Sequence, residues 1–554
     1  MKRIFIPLFL FGFYSLSFSQ TIDDSTKKKI DELFTQWDNS KSPGGAVGIV
    51  RNNSLIYAKG FGMANLENNI PNTTETNFYM ASVSKQFTGY CIVLLAKQGK
   101  VKLDEDIRIY LPWFPNYGDK ITVRNLLNHT SGIRDDLDLG TISGLNRFGM
   151  VTQLHALSLI KSQRSLNFTP GKQHQYSNSN FVLLAEIVEK VSGQSFSSFA
   201  DSAIFKPLGM NHSIFPEDYT KLISNRANSY SKINNSIFIN NFQNVYTLGD
   251  GGMFSNILDM QKWVSNFFNP KVGDHKDIEQ LTQKGRLNNG NEIFYALGVN
   301  VTTLKGWNRY HHRGSMAGYR NYVAIYPDLK LGIIVFGNVN SNPAPRDMVV
   351  QINDLLIKDN PNVKNVTIDE KIAVLTDTVT VLKFCGIYLS NDGTEINFVL
   401  RNKKLFWETE GSSKLLLKVS GNTFIDLQDS TVKFVFGEID AKKYSVTQQL
   451  SYTERLLTKY PIESKPTEKE LKSYEGSYYS SELDCSFSIT LKGGQLLLTS
   501  IRHENLVLKY LAKDELFHKN GLKHLQIIRD KQNKIVAFDM DNGSIVNMRF
   551  NKME

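Results

Sequence analysis

A chain of 554 residues, 41% hydrophobic and 21% charged, has the balance of a globular protein and is too long for one ordinary domain. The formal net charge is +10, but lysines and arginines are scattered, and no zinc-finger, RNP or P-loop pattern occurs. The basicity therefore reads as surface charge that attracts anionic surroundings at long range, and a nucleic-acid partner is not expected. Three cysteines, Cys91, Cys385 and Cys485, are too few for a disulfide framework. Cys91 reads as core packing, the pairing of Cys385 with Cys485 stays open, and no His/Cys cluster has metal-ligand spacing.

Lys2 and Arg3 precede an apolar run from Ile4 to Tyr14, and Ser17-Phe18-Ser19 places small residues where a signal peptidase reads. Residues 1–19 are expected to be a signal peptide cut before Gln20, with the mature protein exported to the periplasm or beyond. The run is short for a membrane span, and no cysteine lies near the cut to carry a lipid. An amphipathic helix is expected over 24–40, with Ile30, Leu33, Phe34 and Trp37 on one face. Pro43-Gly44-Gly45 ends it. Ala46–Val50 and Leu55–Lys59 read as a hairpin turned at Arg51-Asn52-Asn53-Ser54.

From Phe78 the chain enters a helix that stays apolar nearly all round through Tyr90–Ala96, which marks it as buried, and Gly99 stops it. At its start Ser82 and Lys85 are three residues apart and share a face. A serine at a helix N-terminus sits where backbone N–H groups point outward, and a neighbouring lysine can take or relay its proton. The spacing alone does not choose it, because Ser25/Lys28, Ser158/Lys161 and Ser229/Lys232 fit it as well. Residues 100–300 read as mostly helices and loops: short helices at Thr122–Leu127, Ser195–Phe205 and Asp259–Phe268, and a longer one at Phe181–Val191 preceded by the capping cluster Ser177–Asn180. Strands return at Tyr295–Val301, Tyr322–Tyr326 and Leu331–Phe336, followed by a helix at Met348–Ile357. Strands at both ends with helices between argue for an α+β domain: one antiparallel sheet flanked by helices, with an inserted helical lobe.

Residues 359–378 read as a polar linker. Beyond it the chain is β-rich and repeats itself. Phe384-Cys385-Gly386-Ile387-Tyr388-Leu389-Ser390 parallels Tyr474-Glu475-Gly476-Ser477-Tyr478-Tyr479-Ser480, and Ile396, Phe398 and Leu405 find counterparts in Phe487, Ile489 and Leu496 after a one-residue insertion. Two small all-β, barrel-like modules are expected, at 379–458 and 459–554.

Five motifs occur in order: Ser82-Val83-Ser84-Lys85; Leu126-Leu127-Asn128-His129-Thr130-Ser131-Gly132; Tyr176-Ser177-Asn178; Gly249-Asp250-Gly251-Gly252; and His312-Arg313-Gly314-Ser315. Together they resemble the class C β-lactamase and penicillin-binding-protein-like family of serine hydrolases over roughly residues 30–355, and the domain is taken as 20–358. That family includes β-lactamases, D-alanyl-D-alanine carboxypeptidases, D-aminopeptidases and esterases. The resemblance implies a β-lactamase/transpeptidase fold and an acyl-enzyme on Ser82, with Lys85 and Tyr176 handling its proton. Asn178 would orient Lys85 and a substrate carbonyl. The backbone N–H groups of Ser82 and Ser315 would face the oxyanion, and Gly314 would let the strand come close. No metal or organic cofactor is expected.

His312 stands where the drug-inactivating members usually carry lysine. An imidazole holds a carboxylate less firmly than an ammonium does, which shifts the expectation towards esters, or short peptides and amides including those with D-residues. The alternatives are a penicillin-recognising carboxypeptidase or β-lactamase and, in another class, a catalytically idle binder of cell-wall fragments. Ser84 reads as a helix residue, His129 as structural, His311 as a solvated neighbour of His312, and Asp250-Gly251-Gly252 as a turn lining the pocket. The C-terminal repeats resemble the lipocalin-like barrels attached to some D-aminopeptidases.

Overall fold

The computed structural model describes residues 22–554 apart from 146–148, 235–236, 341, 363–374, 376, 391–393, 410–411, 428–431, 441–442, 451–453, 460–465, 519–521 and 523. The expected signal peptide, most of the 359–378 linker and most of the junction between the repeats lie outside the described residues.

The chain opens with α1 (Asp24–Leu33), capped by the Asp23 carboxylate. The hairpin β1 (Gly45–Arg51) and β2 (Ser54–Phe61) follows. Late in the first domain come β3 (Asn300–Leu304), β4 (Trp307–Met316), β5 (Tyr319–Tyr326) and β6 (Leu331–Gly337). They join the hairpin in one antiparallel sheet of order β3-β4-β5-β6-β1-β2. β1 lies beside β6 in the register Ala46 to Phe336 and Ile49 to Ile333, so the two ends of the domain are adjacent strands.

Both central strands are buried along nearly their whole length, because helices cover both faces. On one face α8 (Pro345–Leu356) packs on β5 and β6 beside α1, and Ile30, Val47, Ile49, Ile333, Val335 and Met348 form that core. On the other face lies α7 (Ile257–Asn266), which crosses β1 so closely that a Cβ on Gly48 would lie 2.5 Å from Ile257 Cγ2. That second core continues into the helical lobe around α2 (Lys85–Lys97), whose residues 85–95 are all buried. The lobe holds α3 (Val123–Leu127), α4 (Asp136–Ser143), α5 (Gln153–Ser162) and α6 (Asn178–Ser192).

Two expected elements end differently. The helix expected over 24–40 stops at Leu33; Phe34 and Trp37 follow it in tight turns, with Phe34 stacked on Phe61 at 4.6 Å. The strand expected at Tyr295–Val301 begins only at Asn300, because Gly298 (φ 96°) turns the chain and Ala296 N–H donates to Val299 O.

The C-terminal half forms two closed eight-stranded barrels, from Gly386–Ser390 to Glu454–Lys459 and from Gly476–Ser480 to Ile545–Lys552. They share a closing device: Lys459 donates to Cys385 O at 2.6 Å in the first, and Lys552 donates to Glu475 O at 2.7 Å in the second. Cys91, Cys385 and Cys485 are free thiols.

Candidate active site

Ser82 stands on a short 3₁₀ turn, Ala81–Ser84, that leads into α2. Ala81 has φ 48°, a left-handed conformation that costs a residue with a Cβ and lifts the following serine out of the helix line. Ser82 is half-buried, and its Oγ lies 3.3 Å from Lys85 Nζ.

Lys85 is fully buried. Its ammonium donates to Asn178 Oδ1 at 2.8 Å and to the backbone oxygen of Asp250 at 2.6 Å. Both acceptors are carbonyl-type oxygens that cannot donate back, so the remaining direction on Nζ faces Ser82 Oγ. A proton there holds the serine oxygen; a lone pair there receives the serine proton. Asp250 enters the site through its backbone, in keeping with a turn that lines the pocket. Asn178 begins α6, and Lys85 also lies 4.9 Å from the centre of the Tyr176 ring.

The Tyr176 ring packs against the His129 ring, with centroids 4.2 Å apart and the planes tilted by 39°. His129 Nδ1 meets two donors, Ser177 N–H and the Asn180 amide, each at 3.2 Å, so its proton sits on Nε2. Burial above all drives its pKa far down, and the imidazole is neutral. It supports the tyrosine as a packed wall. The Tyr176 hydroxyl is buried and has no hydrogen-bond partner among the described residues, an expensive state for a polar group that no reacting molecule engages.

His312 is 2% exposed. Its Nδ1 lies 2.7 Å from Arg313 O and its Nε2 2.9 Å from the Tyr295 hydroxyl. The first contact takes the ring proton; the second receives one from tyrosine. Burial, then the charge of Lys85, lowers its pKa to about 3. His312 therefore presents a neutral ring, while Arg313, the next residue on β4, is exposed. Gly314 lies directly against the segment before the serine: a Cβ there would sit 2.1 Å from Met80 O. Asn321, paired with Gly314 across β5, donates to Tyr79 O at 2.8 Å and fixes the same approach. β3 pairs with β4 only as far as His311, so Ser315 stands on an unpaired edge beside the 3₁₀ turn.

The structure thus brings Ser82, Lys85, Tyr176, Asn178, His312 and Gly314 together, with Ser315 next along the strand. His311 departs from expectation. It is half-buried, stacked on Tyr322 at 5.7 Å and bonded to its hydroxyl at 3.0 Å, because alternation along β4 puts it on the sheet face that carries Tyr322. Two residues escaped the sequence reading. Tyr295 sits beside His312 through a turn that no local pattern announces. Asp135, the N-cap of α4, was legible as an acidic pair with Asp136 after His129-Thr130-Ser131-Gly132. Among the described residues no group of three or more His, Cys, Asp or Glu side chains has the arrangement to hold a metal ion.

The sequence profile of the beta-lactamase family matches residues 30–355, which contain every one of these side chains. The chain belongs to the beta-lactamase family of serine hydrolases. It is 27% identical over 454 residues to Penicillin-binding protein 4* of Bacillus subtilis (strain 168), covering 78% of this chain and 99% of that protein. It is 28% identical over 299 residues to the D-aminopeptidase of Gluconobacter oxydans (strain 621H), covering 53% of this chain and 56% of that protein, so the match spans just over half of that relative. The octameric penicillin-binding protein homologue from Pyrococcus abyssi shares the fold, with a TM-score of 0.54 and 23% identity over 78% of this chain and 99% of that one.

Proposed function

We propose that this member of the family is an exported hydrolase of esters, or of short peptides and amides, including those with D-residues. Ser82 Oγ attacks the carbonyl while its proton passes to Lys85 as the free amine, and Lys85 returns that proton through Tyr176 to the leaving group. The oxyanion forms against the backbone N–H groups of Ser82 and Ser315. Collapse breaks the bond to the leaving group and leaves acyl-Ser82. Water, deprotonated by the same groups, then releases the acid.

The observation that carries this reading is the neutral His312. Its two ring nitrogens are occupied by Arg313 O and Tyr295, so it offers no charge to a substrate carboxylate. A D-aminopeptidase among the relatives, 28% identical, supports the amide side of the range. Export is the reading of residues 1–19.

The test is labelling with a fluorophosphonate probe together with turnover of a panel of p-nitrophenyl esters and D-amino-acid anilides. Labelling and turnover are expected in the wild type and lost in Ser82→Ala. Stable labelling by a fluorescent penicillin with no ester or anilide turnover would replace this reading with a penicillin-recognising one. No labelling by either probe would make the chain a binder of cell-wall fragments.

A further inference from the structure

Asn178 holds Lys85 through Oδ1, and an amide is useful there only with its oxygen facing the lysine. One group decides which way it faces. Asp135 Oδ2 accepts from the backbone N–H of Asn178 at 2.5 Å and from its side-chain Nδ2 at 2.9 Å. The other oxygen, Oδ1, accepts from Leu137 N at 3.0 Å and Asp138 N at 3.1 Å, the first turn of α4. A single buried carboxylate thus begins two helices, α4 by its own position and α6 from a distance. Ser177, the residue before α6, does neither; its hydroxyl is buried and without a partner among the described residues.

We propose that Asp135 is a positioning residue of the acyl-transfer centre, fixing the Asn178 amide with its oxygen towards Lys85. The inference rests on the reading of Ser82 as an acylated nucleophile. Without the carboxylate the amide loses the acceptor that distinguishes its two ends. A flipped Asn178 would present Nδ2 to the Lys85 ammonium, donor against donor.

What holds Asp135 in place is the second barrel, which docks on α4 and the segment before it. Arg134, 1% exposed, donates to Glu482 at 2.8 Å and to the carbonyls of Val546 and Asn547. Ser544 donates to Asp138. His503 meets Ile142 O at 2.9 Å, and Leu139 and Ile142 lie in the core of the barrel itself. The titratable groups that face Asp135 are Lys85, Asp136, Asp138 and Asp250; those that face Lys85 also include Tyr176, His129 and His312.

Two variants separate positioning from simple capping. Asp135→Asn removes the charge at constant shape. Asp135→Ser keeps a good helix cap for α4 but is too short to reach Asn178. Each is measured for fluorophosphonate labelling of Ser82 and for p-nitrophenyl acetate turnover across pH, alone and in an Asn178→Ala background. Both are expected to lower kcat about tenfold to a hundredfold, the worth of a hydrogen bond in a charged network, with KM within about twofold. In Asn178→Ala neither change costs anything further, since Asp135 acts through that amide. Wild-type rates, or losses that add in full to that of Asn178→Ala, overturn the proposal. Failure of the nucleophile assignment reads differently: wild type and Ser82→Ala would then label alike.

Discussion

The Arg134–Glu482 pair is the place to test whether the second barrel is built into the catalytic domain. Arg134 is 1% exposed and Glu482 10%, and the same Glu482 oxygen accepts from Arg164 N–H at 2.9 Å. Removing one partner of a buried pair costs about 3–5 kcal/mol, because the other charge is left in low dielectric. Arg134 keeps Gln163 Oε1 at 3.1 Å and the two barrel carbonyls, which places Glu482→Ala at the low end, about 3 kcal/mol. Leu139, Ile142 and Leu159 remain buried against the barrel, and each is worth about 1.5–3 kcal/mol, so the barrel stays docked. The loss appears as easier local opening. Since 1.4 kcal/mol is a factor of ten, amide exchange over 134–144 and 543–547 should accelerate about a hundredfold. Glu482→Gln also leaves the Arg134 charge uncompensated but keeps an acceptor for it and for Arg164 N–H, so it should lose about 1 kcal/mol less than Glu482→Ala. Exchange rates within threefold of wild type in Glu482→Ala would refute the reasoning, as would equal effects of the two substitutions.

Gly314→Ala puts a methyl group 2.1 Å from Met80 O, so β4 must retreat from the serine; turnover of a p-nitrophenyl ester should fall about 10²-fold, while the fold, checked by circular dichroism, persists. Tyr176→Phe removes the unpartnered hydroxyl and should cut turnover about 10²-fold or more with little change in stability; an unchanged rate takes Tyr176 out of the mechanism. The two buried histidines His312 and His174 should cost stability in acid below pH 6.5. Burial lowers His312 to about 3 and His174 to about 4, so the unfolded chain binds protons that the folded one refuses. Their contribution is complete above the unfolded value of 6.5 and is lost as pH falls towards 4 and then 3. The buried carboxyls Asp136, Asp138 and Asp250 are raised and pull the other way, so the readout is the Tm difference between wild type and a His174→Asn, His312→Asn double variant; a difference that stays flat from pH 7 to pH 4 contradicts this.

Where the cause of structure is local, the sequence was readable. The hairpin at β1 and β2 follows from alternation and a polar turn. The burial of α2 follows from its lack of a polar face, and the two barrels follow from a repeat that keeps its inward positions, such as Tyr388 with Tyr478. The family resemblance carried by five motifs in order was enough to group Ser82, Lys85, Tyr176, Asn178 and His312. What stayed hidden depends on contacts between distant segments. The left-handed Ala81 carries no compositional sign, because glycine or asparagine, not alanine, is what usually marks such a position. The fate of His311 turned on strand parity rather than on residue type. The docking of the second barrel rests on Glu482 and Leu483, in a turn one residue longer than the matching stretch of the first repeat. That insertion was visible; its meaning required knowing that Arg134 lies opposite.

The charges around Lys85 bear on which substrates the site accepts. Asp135 and Asp250 are buried near Lys85 and Asp136 is buried beside them, and burial pushes all three carboxyls up. They do not share the load equally. Asp136 is also repelled by Asp135 and Asp250, has one oxygen on Ser179 and leaves the other without a partner among the described residues. Asp250 likewise has an orphaned oxygen. Asp135 alone receives four N–H donors, two on each oxygen, which offset part of the penalty that burial sets on its charge. His312, whose ring burial keeps neutral, adds no positive charge for a substrate carboxylate. A developing oxyanion is then met by backbone dipoles rather than by a cationic side chain at that position.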